Sequence, residues 1–176
     1  MSKPRLSRLM PILVAVRRSI ETQFPRRKTC RNLCSFSACA VEIIAAKNGI
    51  RLQIMGGEYR PTALINRPQF GNRDHIAASR SKIENASHAW IRYQRNYIDL
   101  TLTQFDSAAP PIAILPETDK RYCGTAIDPW VARMNLEFCG YSPDELESVV
   151  KRAERLLREA ARKTDGAVEH VREGGK

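Results

Sequence analysis

Three residues of this chain, Cys34, His88 and Asp99, have the types and the order that thiol chemistry requires. Thiolate is the nucleophilic form of cysteine, and an imidazole oriented by a carboxylate can take up and return its proton. Cys34 opens an apolar, alanine-rich run, and Asp99 follows His88 by eleven residues. These three are therefore the predicted catalytic residues for acyl transfer to a thiol.

The spacing of His88 and Asp99 fits a β-hairpin. Residues 87–93 and 97–102 have the composition of strands, with a turn near residues 94–96. If the loop comprises residues 94–95, His88 and Asp99 are diagonal neighbours on one face of the sheet, about 7–8 Å apart at Cα. The carboxylate can then hold one tautomer of the imidazole and stabilise its charged form. A loop of different length would reverse this parity.

Cys34 is predicted to lie just inside a helix, because Asn32 is a favourable N-cap before a helical segment from residue 33 to about 47. A helix N-terminus stabilises a thiolate, and its free backbone N–H groups can hold an oxyanion. Cys30 and Cys39 remain alternative nucleophiles if the helix starts elsewhere. The structural alternative is that the cysteine is a small core residue and the histidine a satisfied strand residue.

Longer motifs surround these residues: Leu33-Cys34-Ser35-Phe36-Ser37-Ala38-Cys39-Ala40, Asn48-Gly49-Ile50, Gly56-Gly57, His88-Ala89-Trp90-Ile91, and Ile98-Asp99-Leu100-Thr101 with Gln104-Phe105. Over residues 30 to about 115, this pattern resembles bacterial transglutaminase-like, papain-fold cysteine proteins. The resemblance implies a papain-like α+β fold in which Cys34 is the nucleophile, His88 the general base and acid, and Asp99 the orienting carboxylate. Trp90 and Gln104 match the motif as supporting residues with no assigned catalytic role.

Other segments predict the elements around this site. Residues 9–24 have helical spacing, with Arg17 and Arg18 expected to face water and an apolar stripe expected to face a core: Leu9, Leu13, Val16, Ile20 and Phe24. Ser142, Pro143 and Glu145 form a capping box that starts a final helix, with a frayed tail expected from residue 164.

The central part of the chain has weaker signals. Short strands are predicted at residues 50–55, ending at Gly56-Gly57, and at residues 112–115. Residues 58–86 are expected to form a long loop. Residues 116–140 are expected to be irregular, with a turn at Asp128-Pro129-Trp130 in which the tryptophan serves as an anchor.

Length and composition limit the class of protein. A chain of 176 residues suits one domain, and 43% hydrophobic with 27% charged residues are globular values. No run of 18 apolar residues occurs. The predicted class is α+β: a papain-like or transglutaminase-like core with the cysteine helix on a small antiparallel sheet, and added N- and C-terminal helices. The predicted divisions are a basic segment 1–31, a catalytic core 32–140, and a C-terminal helix and tail 141–176.

Basic charge is concentrated at the N-terminus. Residues 1–31 carry nine basic residues against Glu21 alone, so they hold +8 of the formal +10. Residues 3–31 are therefore a candidate contact for an anionic partner, although a solvated basic helix explains the same pattern. Two alternative functions follow: a non-catalytic papain-like protein that docks through this segment, and a nucleic-acid-binding protein. The second lacks a helix-turn-helix or basic–aromatic signature.

No cofactor or metal is expected. The five cysteines include no CxxC pair. Asp74 and His75, with Glu84 or Asp106, match no metal-ligand spacing. The predicted substrate is an amide of a protein or peptide, acted on by a cysteine peptidase or a glutamine amidase or deamidase, with transglutamination open. Free thiols suit a cytoplasmic protein; a secreted effector or an organelle-targeted protein are the alternatives.

Overall fold

The computed structural model describes residues 6–25, 33–60 and 87–173, which form four α-helices, one 3-10 turn and a five-stranded antiparallel sheet. The predicted α+β class is confirmed. In chain order, the elements are α1 (Leu6–Gln23), α2 (Cys34–Lys47), β1 (Gln53–Tyr59), β2 (Ser87–Tyr93), β3 (Asn96–Asp99), the 3-10 turn (Leu102–Gln104), β4 (Ala113–Pro116), β5 (Tyr122–Ile127), α3 (Pro129–Phe138) and α4 (Pro143–Glu173).

The strands are arranged in the order β4-β3-β2-β1-β5, and every neighbouring pair is antiparallel. The expectation that the first strand ends at Gly56-Gly57 is wrong, because β1 continues through both glycines to Tyr59. A Cβ on Gly57 would lie 2.1 Å from the Cys123 carbonyl oxygen, and one on Gly56 would lie 2.0 Å from the Ile127 side chain. The glycines therefore allow β5 to approach β1 closely.

Side chains alternate between the two faces of the sheet. On one face, Ala89 and Ile91 of β2 join the main core, to which all four helices contribute. On the other face, Trp90 joins a smaller aromatic cluster with Met55, Tyr59, Leu102, Ala113 and Tyr122. Because alternation has a period of two, His88 points to the same side as Trp90. His88 thus belongs to the aromatic side of the sheet.

Helix α1 packs on α2 and α4. The predicted stripe Leu9, Leu13, Val16 and Ile20 is buried, and half-buried Phe24 contacts the Phe36 ring at a centroid distance of 5.4 Å. Arg18 is exposed as expected, but the same expectation for Arg17 is wrong. Its guanidinium is largely covered, because it donates to the Leu100 carbonyl and pairs with Glu21. Helix α1 therefore touches the segment that directly follows Asp99.

Residues 116–140 are more regular than predicted, since they contain β5 and α3. Asp128 is the N-cap of α3 and accepts a hydrogen bond from the Trp130 amide at 2.8 Å, while Pro129 occupies the first helical position. The residues interpreted as a turn are thus a helix start, and Trp130 is 66% exposed, so it is no anchor.

The start of α4 agrees with the sequence. The Ser142 amide donates to Glu145 Oε2 at 2.8 Å, and the Glu145 amide donates to Ser142 Oγ at 3.2 Å, which is the predicted capping box. The helix then continues to Glu173, past residue 164. Across the three described stretches of chain, we find no helix with both the length and the apolar character needed to cross a bilayer.

Candidate active site

Helix α2 places Cys34 at its first position. It begins one residue later than predicted, with Leu33 at the N-cap; Asn32 lies outside the described residues. The Leu33 carbonyl accepts hydrogen bonds from both the amide and the hydroxyl of Ser37, at 2.8 and 2.7 Å, and these bonds hold the first turn in place. No side chain caps this end and its first turn contains no acid. The positive end of the helix dipole therefore acts on the Cys34 sulfur without competition from a capping carboxylate.

The hairpin of β2 and β3 brings His88 and Asp99 together. Its loop is the two-residue turn Gln94-Arg95, and Ile91 pairs with Ile98. This is the register that diagonal neighbours require. His88 Nε2 lies 2.6 Å from Asp99 Oδ2, and both side chains are 1% exposed or less. The pairing of imidazole and carboxylate expected from sequence is thus present in the structure.

Asp99 receives four hydrogen bonds. Its Oδ1 accepts from the Thr101 amide at 2.7 Å and from Thr101 Oγ1 at 3.0 Å, and its Oδ2 accepts from His88 and from the Tyr122 hydroxyl at 3.0 Å. Burial raises the pKa of this carboxyl, but the hydrogen bond and charge of His88, with those from Thr101 and Tyr122, hold it below its ordinary value. An ionised Asp99 can only accept, so His88 carries a proton on Nε2.

Sequence reasoning missed Thr101 and Tyr122 as partners of Asp99. Thr101 belongs to the D-x-T motif, so an Asx-type turn after the strand was the available signal. Tyr122 lies 23 residues beyond Asp99, on the far edge strand β5. No local pattern links it to the site, because its position depends on the order of the strands.

Cys34 forms a hydrogen bond with His88. Because Asp99 occupies Nε2, the free nitrogen for the thiol is Nδ1. Backbone amides of Ser35 and Ala89 also contact the sulfur. Burial raises the pKa of the Cys34 thiol, but His88 and these amides together bring it below the ordinary value. For His88 the directions are reversed: burial lowers its pKa, but Asp99 and Cys34 together raise it to about 9. The site therefore favours a thiolate beside an imidazolium.

Aromatic rings enclose the imidazole. Phe105 meets it edge-on at a centroid distance of 4.9 Å, and Trp90 lies nearly parallel to it at 5.8 Å. Tyr59 and Tyr122 complete the enclosure at 6.2 and 6.1 Å. Such walls exclude water and restrict rotation of the ring. Trp90 thus supports His88 by packing, and its buried indole N–H has no hydrogen-bond partner within the described chain.

Gln104 lies at the open nitrogen of the imidazole. Its Nε2 is 3.1 Å from His88 Nδ1 and 3.5 Å from Thr101 Oγ1. The 3-10 turn positions it, because the Gln104 amide donates to the Thr101 carbonyl at 2.9 Å. The other four site residues predicted from the sequence therefore meet around the His88 imidazole.

Cys39, the alternative nucleophile on the same helix, lies in a less favourable setting than Cys34. Cys39 is fully buried, and burial raises its pKa to about 12, whereas Cys34 is 7% exposed and its pKa is lowered. Cys123 and Cys139 are exposed, and Cys30 lies outside the described residues. Of the four described thiols, Cys34 is the one whose pKa is lowered by a hydrogen bond to a histidine.

The described residues contain no group of three or more His, Cys, Asp or Glu side chains that could hold a metal ion. Asp74, His75 and Glu84 lie outside them. Comparisons with models of protein families, with curated proteins and with solved structures find no match to this chain. The likeness to transglutaminase-like proteins therefore rests on the motif residues alone.

Proposed function

We propose that this protein is a cysteine hydrolase that cleaves an amide through a thioester, with a papain-like or transglutaminase-like core. Cys34 is the nucleophile, His88 the general base and acid, and Asp99 the carboxylate that orients the imidazole. One observation carries the proposal: a chain of hydrogen bonds runs from the Cys34 sulfur through His88 to Asp99, and Nε2 and Oδ2 are 2.6 Å apart.

The surroundings of this chain support acyl transfer over a structural role. A histidine that served only packing would need neither a buried carboxylate with four donors nor a cysteine at a helix N-terminus. Both features stabilise the charged pair that a thiol nucleophile requires.

Acylation begins from the thiolate–imidazolium pair. The Cys34 sulfur attacks the amide carbon, so that a C–S bond forms and the carbonyl π electrons move to oxygen. Backbone N–H groups at the start of α2 are the donors available for this oxyanion. The tetrahedral species then collapses, His88 Nδ1 gives its proton to the leaving nitrogen, and the C–N bond breaks. An amine departs and a thioester remains.

Deacylation returns the site to its starting state. Water attacks the thioester while His88 Nδ1 accepts one of its protons, and the C–S bond then breaks. The products are a carboxylic acid and the Cys34 thiolate, so amide and water are converted to acid and amine. On a peptide bond this reaction is proteolysis, and on a glutamine side chain it is deamidation. An amine in place of water would give transglutamination.

The first test is the reactivity of the thiol. Wild type, Cys34→Ala and Cys39→Ala are treated with iodoacetamide at pH 6, and labelling is followed by peptide mass spectrometry. We expect Cys34 to react faster than a free thiol, and equally fast in Cys39→Ala. A slow Cys34, or fast labelling that survives in Cys34→Ala and disappears in Cys39→Ala, would refute the assignment.

The second test identifies the reaction. Casein and glutamine-containing peptides are incubated with wild type and Cys34→Ala, and three products are measured: new N-termini, ammonia, and an incorporated fluorescent primary amine. We expect new N-termini or ammonia from wild type alone. If the thiol is reactive but none of these products forms from a broad peptide library, the alternative of a non-catalytic papain-like interaction protein replaces this proposal.

A further inference from the structure

Two groups compete for one nitrogen of the catalytic histidine. With Nε2 held by Asp99, His88 has only Nδ1 left for its hydrogen bond with the Cys34 thiol, and the Gln104 amide nitrogen lies 3.1 Å from the same atom. Neutral imidazole has a single lone pair at Nδ1, so it can accept one good hydrogen bond. A hydrogen bond from either group to Nδ1 therefore weakens the hydrogen bond from the other.

The neighbouring threonine determines which atom of Gln104 faces the ring. Thr101 Oγ1 has one hydrogen, which it donates to Asp99 Oδ1 at 3.0 Å. The same oxygen can thus only accept from Gln104, which favours the amide nitrogen as the Gln104 atom 3.5 Å away. That nitrogen also faces His88 Nδ1, so it presents a hydrogen there.

An N–H group aimed at Nδ1 has opposite effects on the two states of the site. It forms a hydrogen bond with the neutral imidazole, whose Nδ1 is an acceptor. When the Cys34 proton moves to Nδ1, the two N–H groups face each other and the hydrogen bond is lost. Gln104 therefore stabilises the thiol with neutral imidazole against the thiolate with imidazolium.

We propose that Gln104 is a positioning residue that restrains thiolate formation at Cys34 in the free protein. It does so through Nδ1 of His88, and its amide must leave that nitrogen before the histidine takes the thiol proton. This inference rests on the proposed function for its importance in catalysis, but the restraint itself is a property of the substrate-free protein.

Other titratable groups near the pair come from three strands, from within α2 and from the residue after α3. They are Asp99 on β3, Tyr59 on β1, Tyr122 on β5, Cys39 on α2 and Cys139 after α3. Arg121 and Arg133 interact electrostatically with Tyr122 and Cys39, respectively. A variant of Gln104 leaves all of these in place, so a change in the titration of Cys34 reports the amide alone.

The test is the pH dependence of Cys34 alkylation in the substrate-free protein. Gln104→Met keeps the length of the side chain and removes its N–H groups, and Gln53→Met, on the exposed start of β1, is the matched control. A net hydrogen-bond contribution of about 0.5–1.5 kcal/mol corresponds to about a 2- to 12-fold change in equilibrium. We expect iodoacetamide to label Cys34 faster by that factor below its pKa in Gln104→Met, with no change in Gln53→Met.

An unchanged or higher Cys34 pKa in Gln104→Met would overturn the inference, since the latter would mean that Gln104 supports the ion pair. Gln104→Ala, with thermal unfolding to verify the fold, provides the same reading if the Met variant does not fold. The two proposals can fail separately. A low wild-type pKa unaffected by Gln104 refutes only this inference, whereas a Cys34 of ordinary pKa that is also insensitive to Asp99→Asn refutes the proposed function.

Discussion

Replacing Asp99 by asparagine tests the central link of the site. Thr101 donates twice to Oδ1, so the amide oxygen of the new side chain is expected to stay there and its NH2 group to replace Oδ2. That NH2 group would face His88 Nε2, which must then accept a hydrogen bond. The neutral imidazole would be forced to carry its proton on Nδ1, where it can no longer receive the proton of Cys34.

The size of the effect follows from the bond that is lost. A hydrogen bond to a charged group contributes about 1.5–3 kcal/mol, which is roughly a 10- to 150-fold change in the equilibrium between thiol and thiolate. We therefore expect the pKa of Cys34 to rise by about 1 to 2 units. Without the ion pair, burial is the main remaining influence, and it also raises the pKa.

The assay is the rate of Cys34 carboxamidomethylation by iodoacetamide between pH 5 and 10, quantified by peptide mass spectrometry. Exposed Cys123 and Cys139 in the same digest are internal references for reagent activity. Asp144→Asn, in the first turn of α4, is the control for a surface carboxylate. Below the wild-type pKa of Cys34, we expect its labelling to fall by the factor given above in Asp99→Asn alone.

A folded Asp99→Asn protein with the wild-type titration curve for Cys34 would refute the reasoning. It would mean that the helix N-terminus and the backbone amides lower the thiol pKa without the histidine. Thermal unfolding of the variant is needed to establish that the fold is retained, because a buried carboxylate with four donors is being replaced.

Three further predictions concern neighbouring features. Tyr122→Phe removes the hydroxyl that shares Asp99 Oδ2 with His88, so the carboxylate should hold the imidazolium more strongly and Cys34 alkylation below its pKa should quicken by a few-fold, about 1 kcal/mol. Tyr97→Phe in the same cluster should not change the rate, and equal effects would contradict the role of the hydroxyl. Gly57→Ala forces β1 and β5 apart and should lower the free energy of unfolding in urea by about 3 kcal/mol. Gly49→Ala, where only the positive φ is strained, should lower it by about 1–2 kcal/mol. A Gly57 variant as stable as wild type would show that the sheet adjusts at this position. Because the pKa of Asp99 is lowered on folding, its contribution to stability is present above its unfolded pKa of about 3.9 and is lost as the pH falls below that value. The wild-type free energy of unfolding should therefore decline more steeply below pH 4 than that of Asp99→Asn. Parallel declines would count against an ionised, stabilising Asp99.

Local sequence was sufficient to predict the parts of the site that depend on periodicity and caps. A two-residue turn at Gln94-Arg95 determines the hairpin register, and the period of two along a strand then places His88 and Asp99 on one face. The capping box at Ser142 was likewise predictable, because it depends on residues three apart. These signals depend on residues only a few positions apart, so they can be recognised without knowledge of the fold.

Where glycine, proline and aspartate have several roles, the sequence misled. Gly56-Gly57 suggested the end of a strand, but the close approach of β5 requires them inside it. Asp128-Pro129 suggested a turn, although the same pair is a standard helix start, as α3 shows. In each case, the deciding factor was a neighbour that lies far away in the chain or the continuation of the element.

Sequence alone determined the order and the residue types of the site: a cysteine at a helix start, and a histidine and an aspartate on paired strands. Only the tertiary structure decided how those groups are connected. The order of the strands brings Tyr122 to Asp99, the packing of α1 brings Arg17 to the Leu100 carbonyl, and the turn after β3 brings Gln104 to His88 Nδ1. Contacts across 23 and 83 residues leave no periodic trace, because burial of a shared core places these elements and local propensity does not.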